Sequence, residues 1–264
     1  MEGSLEAALA MIAAAGFKRV ELWGSEAHLD PRLHPDVRAA KRDLRRLGLR
    51  AHSIHTPYDH LRLGHPEPGL KAEWLREVGA ALEIGAELGA RIAVVHVTSD
   101  VKSLPDEAYN ESRALAIEFV ETLNRRARAL GMRLAVENLP LLGHRRFGSS
   151  LQELAEAFPD PEIGFCLDVG HVLVNEMSLR AEVQAVGSRL ISVHAHNNDG
   201  ERDRHWPPAE GVADWRQVRR ELAAIGYEGP YVLEVVQSRE IERGADPAGL
   251  LRQLAAFAEE DAKA

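Results

Sequence analysis

"RALGMRLAVE", residues 128–137, contains the unit that decides the fold: the last turn of a helix, a glycine and a short apolar strand. Glycine is favoured just after a helix because it adopts a left-handed backbone without steric cost. The strand ends in an acidic residue, Glu137, although a carboxylate beside a buried strand is costly unless something compensates it.

The same unit recurs along the chain. It appears as "AAAGFKRVEL" (13–22), "RRLGLRAHSI" (45–54), "AELGARIAVV" (86–95) and "AAIGYEGPYVLE" (223–234). The strands are short and apolar on both faces, as are parallel strands that helices cover. With about seven such strands and no linker between them, the sequence predicts a single domain over residues 1–264, of the α/β class, folded as a parallel (β/α) TIM barrel.

Composition narrows the range of functions. A content of 45% hydrophobic and 28% charged residues is typical of a soluble globular protein. The net charge of -9 argues against nucleic acid or an anionic membrane as the main partner. No membrane-spanning or secretory segment is evident. The single cysteine, Cys166, excludes an internal disulfide, and we interpret it as a small, buried hydrophobic residue. These features predict a cytoplasmic enzyme.

Every predicted strand ends in a residue that can bind metal or move protons. In chain order these residues are Glu21, His55, His96, Glu137, Asp168 with His171, His194 with His196, and Glu234. The carboxyl ends of parallel strands meet on one face of a barrel. Four carboxylates and several imidazoles crowded there would repel one another unless a cation were present. The pattern therefore predicts a divalent metal, and its mixed nitrogen and oxygen donors suit Mn, Zn, Co, Fe or Mg.

The order of the motifs resembles one superfamily. "GFKRVELW", "HTPY", "VVHV", "AVENLP", "CLDVGHV", "VHAHNNDGERDRH" followed by "PAEG", and "YVLEV" cover nearly the whole chain. Together they resemble the xylose-isomerase-like TIM barrels, which include sugar (phosphate) isomerases and epimerases and endonuclease IV. Such proteins usually begin with a strand, whereas this chain begins at the following helix. We therefore expect the usual first strand to be lacking and the wall to be open between "VELW" and "YVLEVV", where copies could pair as a homo-oligomer.

The resemblance also implies a ligand set. The sugar epimerases imply a metal core of Glu137, Asp168, His194 and Glu234. Endonuclease IV implies five further ligands, His55, His96, His171, Asp203 and His205, so that the site would hold one to three ions. Between the two histidines of "VHAH", His194 is preferred to His196 because it follows the apolar run directly. Asn197 stands where many relatives have Asp, which is a departure from the pattern.

These features predict a metal-dependent isomerase or epimerase of a small sugar or sugar phosphate, acting in carbohydrate metabolism. Glu137 and Glu234 would move protons on opposite faces of the substrate while the metal polarises its oxygens. His171, Glu21 and Trp23 are expected to bind the substrate.

Two alternatives stay open. The first is an endonuclease IV-like phosphodiesterase acting on abasic DNA, and the second is a non-catalytic barrel that retains its ligands by descent. A nuclease needs basic loops that track phosphates. Only "LLGHRRFGSS" (141–150) and "GERDRHW" (200–206) carry paired basic residues, which favours a small sugar over a duplex.

Overall fold

A computed structural model describes residues 4–99, 108–141, 146–236, 238, 241 and 246–261. Seven parallel strands, hydrogen-bonded in chain order, form one sheet that curves into a nearly closed barrel. They are β1 (Arg19–Trp23), β2 (Arg50–His55), β3 (Ile92–Val95), β4 (Arg133–Glu137), β5 (Gly164–Asp168), β6 (Leu190–His194) and β7 (Tyr231–Val232). The predicted α/β barrel is confirmed.

Helices lie between the strands and cover the outside of the sheet. They are α1 (Leu5–Ala14), α2 (Glu26–Leu29), α3 (Val37–Arg46), α4 (Leu70–Leu88), α5 (Tyr109–Ala129), α6 (Leu151–Ala157), α7 (Val169–Val174), α8 (Leu179–Val186), α9 (Trp215–Ala224) and α10 (Pro247–Asp261). Within the described ranges, none of them is long and apolar enough to cross a bilayer.

The helix–glycine–strand unit forms as its residues predict. After α5, Gly131 has a φ of 70°, and after α4, Gly89 has a φ of 92°, so both adopt the left-handed backbone that ends a helix. The main core packs the outward faces of the strands against the helices, with Trp74, Phe119 and Phe165 among its largest fully buried side chains.

The inward faces of the strands form two layers. Because side chains alternate along a strand, residues two apart point to the same face. Small side chains dominate the lower layer, which comprises Glu21, Ser53, Val94, Ala135, Cys166 and Ser192. The upper layer, at the carboxyl ends, comprises Trp23, His55, His96, Glu137, Asp168 and His194. Cys166 is fully buried, as expected, and packs with Val94 and Ala135.

The barrel wall is open where the sequence predicts a gap. Among the described residues, β1 pairs with β2 and β7 pairs with β6, but no strand lies between β1 and β7. A cavity of about 550 Å³ occupies this position, lined by apolar side chains of α1, β1, β7 and α10. Association of two copies across this gap stays a prediction.

Candidate metal centre

Four side chains converge at the carboxyl ends of the strands, and we call them the core group: Glu137, Asp168, His194 and Glu234. Each offers one ligand atom, and these atoms all lie within 4.8 Å of one another. His194 Nδ1 lies 2.8 Å from Glu234 Oε2 and 3.4 Å from Glu137 Oε1. The core group therefore forms because β4, β5, β6 and the segment after β7 all end at the same rim.

Two histidines from the neighbouring strands extend the core group. His55 Nε2 lies 3.1 Å from Glu137 Oε2, and His96 Nε2 lies 3.2 Å from the same oxygen. All three side chains are buried. Glu137 thus faces His55 and His96 with one oxygen and His194 of the core group with the other.

A second cluster lies beside the first, towards solvent; we call His171, His196, Asp203 and His205 the outer group. Asp203 Oδ2 lies 3.1 Å from the Nε2 atoms of both His171 and His205. His196 Nε2 lies 2.9 Å from Asp168 Oδ2, which joins the outer group to the core group.

Backbone carbonyls orient three of these imidazoles. The Nδ1 atom of each ring lies 2.7–3.1 Å from a carbonyl oxygen, to which Nδ1–H can donate. A proton held at Nδ1 leaves Nε2 as the ligand atom, and such second contacts commonly fix the tautomer of metal-binding histidines. The pairs are His55 with Thr56, His171 with Asn138, and His205 with Glu234.

A folded-back loop brings Asp203 and His205 to the site. Asn197 and Trp206 form an antiparallel bridge, with N–H···O distances of 2.8 and 2.9 Å, so the loop between them returns over the strand ends. The Asn197 side chain donates to the Pro208 carbonyl at 2.7 Å and accepts from the N–H of Ala213 at 2.9 Å. An aspartate could accept but not donate, which explains why an amide suits this position.

The carboxylates make the site attractive to positive charge. Burial opposes ionisation of Glu137, but the facing rings of His194 and His96 outweigh it and hold the pKa of this carboxyl well below its usual value. Burial also disfavours a charged His171, yet Asp168 and Asp203 raise the pKa of His171 to about 10. Burial lowers the pKa of His96 to about 4, so this ring is neutral at pH 7 and can offer a lone pair.

Several buried polar atoms of the site have no hydrogen-bond partner. They include Nδ1 of His194, Nδ1 of His96, Nδ1 of His196, Asp203 Oδ1 and Glu234 Oε2. Buried polar groups are normally paired, so such a concentration needs an explanation. A divalent cation would supply one, because imidazole nitrogens and carboxylate oxygens are its usual ligands. The donor set therefore fits the predicted metal.

The structure brings together all nine predicted metal ligands. Both histidines of "VHAH" lie at the site, His194 in the core group and His196 in the outer group. Trp23 lies at the rim against His55, with ring centroids 4.9 Å apart. Glu21 lies one layer lower, with Oε1 3.0 Å from His194 Nε2.

Two residues that sequence reasoning passed over also shape the site. Tyr58 stacks on His96 with ring centroids 3.8 Å apart, and it follows the strand end within the quoted "HTPY". The Asn138 side chain pairs with the backbone of Asp168, accepting from its N–H at 2.7 Å and donating to its carbonyl at 3.0 Å. A polar residue directly after Glu137 in "AVENLP" was the available signal for Asn138.

Two arginines of the basic loops, Arg146 and Arg204, are engaged by other groups of the protein. Arg146 is buried and donates to Thr98 Oγ1 at 3.0 Å and to the Pro140 carbonyl at 3.2 Å. Arg204 donates to Asp199 Oδ2 at 3.0 Å. Arg145 lies outside the described residues.

Sugar epimerases are among the known proteins that this chain resembles in sequence. It is 26% identical over 229 residues to the ketose 3-epimerase of Arthrobacter globiformis, covering 85% of this chain and 75% of that protein. It is 23% identical over 235 residues to the fructoselysine 3-epimerase of Escherichia coli O157:H7, covering 84% and 82%.

The solved structure of D-allulose 3-epimerase from Methylomonas sp. superposes with a TM-score of 0.81 at 22% identity, covering 97% of this chain and 91% of that chain. At that identity the superposition shows the fold alone. The family model for the xylose isomerase-like TIM barrel matches residues 9–260, and the chain belongs to this family.

Proposed function

We propose that this protein is a metal-dependent epimerase of a small ketose or a closely related sugar. The observation that carries the proposal is the placement of Glu137 and Glu234 around His194, at 3.4 and 2.8 Å from its Nδ1. The two carboxylates come from β4 and from the segment after β7, so they approach the mouth of the barrel from different directions.

The core group would hold the catalytic ion, and His55 and His96, which face Glu137 Oε2, would be available as further ligands. When bound, a divalent ion supplies the polarisation of the substrate carbonyl and hydroxyl oxygens and stabilises the negative charge that develops on them. The outer group has the composition of a second site, which supports the expectation of more than one ion.

Epimerisation beside a carbonyl exchanges a proton between the two faces of one carbon. One glutamate accepts the carbon-bound proton, and the other, protonated beforehand from water, delivers a proton to the opposite face. Surrounding imidazoles keep the pKa of Glu137 and of Glu234 low despite burial, so either glutamate can act as the base. The product then carries a proton derived from solvent.

The surroundings suit a neutral sugar. Glu234, Asp203 and His205 are the more exposed members of the site, with 18–23% of each side chain accessible, so substrate would enter beside them. Trp23 and Tyr58, whose ring centroids lie 5.7 Å apart, form an apolar wall on the side of His55. His171 Nε2 lies 3.1 Å from Asp203 Oδ2 and would orient a substrate oxygen.

Two further observations support this substrate class. Arg146 and Arg204 are engaged by other groups of the protein, so neither supports a phosphate subsite. The relatives are named as 3-epimerases of a ketose and of fructoselysine, which makes a ketose and inversion at carbon 3 the first substrate and position to test.

The test is turnover of a panel of ketoses and their phosphates in D₂O, with Mn²⁺, Co²⁺, Mg²⁺ or Zn²⁺ added singly. We expect one carbon of a neutral ketose to be inverted with incorporation of deuterium, loss of this activity with chelator, and its return with metal. Glu234→Gln should lose inversion, whereas Glu228→Gln, an exposed glutamate six residues earlier, should not. If Glu234→Gln kept its metal and exchanged substrate protons at the normal rate from both faces, the two-base scheme would fail.

The outer group favours one other candidate, a phosphodiesterase acting on abasic DNA. Several ions close together would suit an in-line displacement at phosphate. The net negative charge argues against binding of duplex DNA. Arg146 and Arg204 are held by other groups of the protein, which also argues against contacts to DNA phosphates. Efficient incision of an abasic-site duplex at low salt, with no turnover of any ketose, would establish the nuclease instead.

A further inference from the structure

Glu21 faces His194 from the side opposite the core group. His194 Nδ1 points to Glu234 and Glu137, whereas its Nε2 lies 3.0 Å from Glu21 Oε1, at ion-pair distance but without the alignment of a hydrogen bond. His194 is fully buried, so water does not compete for either nitrogen. Glu21 is therefore the carboxylate that lies beside Nε2 of His194, in the layer below the rim of the barrel.

A neutral imidazole binds a metal only through the nitrogen that carries no proton. The proton must therefore rest on the other nitrogen, and a carboxylate beside that nitrogen holds it there and makes the ligand nitrogen more basic. For His194, a proton at Nε2 facing Glu21 leaves Nδ1 as the ligand atom towards the core group.

Glu21 is itself held in place from β2. Ser53 is the register partner of Glu21 on the neighbouring strand, and its hydroxyl donates to Glu21 Oε2 at 2.6 Å. This bond leaves Oε1 for His194. Ser53, Glu21 and His194 thus form a continuous chain of contacts beneath the core group.

We propose that Glu21 is a positioning residue that fixes the tautomer of His194 for metal binding and does not contact the sugar. The inference rests on the proposed function, since it takes His194 as a metal ligand. It changes the role expected of Glu21 from the sequence, where its place at a strand end suggested a substrate contact.

The test compares Glu21→Gln with wild type by metal titration and by kinetics at saturating metal. Loss of such an outer contact typically weakens metal binding by about 10–100-fold. We expect a weakening of that size for Mn²⁺ or Co²⁺, with the KM for the sugar unchanged once metal is saturating. Nitrogen-15 NMR of the zinc-loaded protein should show the His194 ring as the Nε2–H tautomer in wild type and altered in Glu21→Gln.

Ser53→Ala provides a second variant if Glu21→Gln folds poorly. It keeps the charge of Glu21 but frees the carboxylate to turn, so we expect a smaller loss of metal affinity and the same KM. Glu228→Gln serves as the control and should leave both quantities unchanged.

The outcomes separate this inference from the proposed function. A higher KM with unchanged metal affinity in Glu21→Gln would overturn the positioning role and restore the substrate contact. Unchanged affinity and unchanged KM would overturn the positioning role as well. If wild type itself bound no divalent metal, the proposed function would fail and this inference with it.

Discussion

Replacing Asp168 with Asn tests the core group with little change in shape. The carboxylate of Asp168 is fully buried, and its Oδ1 accepts the backbone N–H of His171 at 2.7 Å as the N-cap of α7. Asparagine caps helices about as well as aspartate, so this hydrogen bond should be kept. The substitution removes the negative charge of Asp168, whose Oδ2 lies 2.9 Å from His196 Nε2.

The loss of metal-dependent stability expected in Asp168→Asn can be calculated, because a metal that binds only the folded state also stabilises that state. Metal at about 1,000 times its dissociation constant stabilises the folded state by about 4.1 kcal/mol. If the lost charge weakens binding about 100-fold, the same metal concentration gives only about 1.4 kcal/mol. The difference of about 2.7 kcal/mol corresponds to roughly 5–11 °C in Tm for a chain of this size.

Thermal melts with metal and with chelator, on wild type and Asp168→Asn, provide the assay. We expect the metal-dependent rise in Tm to shrink in Asp168→Asn, and the difference between the two proteins to be much smaller with chelator. Asp36→Asn is the matched control, because Asp36 caps α3 through the N–H of Ala39 and is exposed. An equal loss of Tm with and without metal, or an unchanged dissociation constant for the metal, would show that Asp168 does not hold it.

Other substitutions probe how the site is built. In Gly170→Ala the new Cβ would lie 2.0 Å from Cε1 of His196, so the ring must move; we expect about 1–3 kcal/mol of destabilisation in thermal melts and fewer ions per chain by elemental analysis. Asn197→Asp loses the 2.7 Å hydrogen bond that the side-chain amide donates to the Pro208 carbonyl. Denaturant unfolding should show that the free energy of unfolding falls by about 1–3 kcal/mol. Asn138→Leu removes the side-chain partners of the backbone N–H and carbonyl of Asp168. The same assay should show that the free energy of unfolding falls by about 2–5 kcal/mol. Full stability in these variants would show that the contacts contribute little.

The sequence was sufficient to predict the fold and the convergence of the strand ends. Glycine after a helix and an apolar run after the glycine are local signals, and a parallel barrel then brings the ends of all its strands to one rim. Glu137, Asp168 and His194 could therefore be predicted from their position directly after apolar runs. The gap between β1 and β7 followed from the resemblance, which supplied the expectation of a further strand.

The remaining features depend on contacts that strand ends do not determine. Asp203 and His205 reach the site because the bridge at Asn197 folds the loop back, and no local pattern signals that fold. His194 and His196 are two residues apart in the chain, so both side chains can point into the barrel. The sequence therefore did not require a choice between them. The position of Glu21 one layer below the rim depends on strand register, which sequence periodicity leaves open.

Elemental analysis of protein purified without chelator shows directly whether the core group binds metal. We expect at least one divalent metal ion per chain, held by the core group, and a loss of this metal in Asp168→Asn prepared in the same way. Folded protein that contained no divalent metal, and that took none up when Mn²⁺, Co²⁺, Zn²⁺ or Mg²⁺ was added, would contradict it.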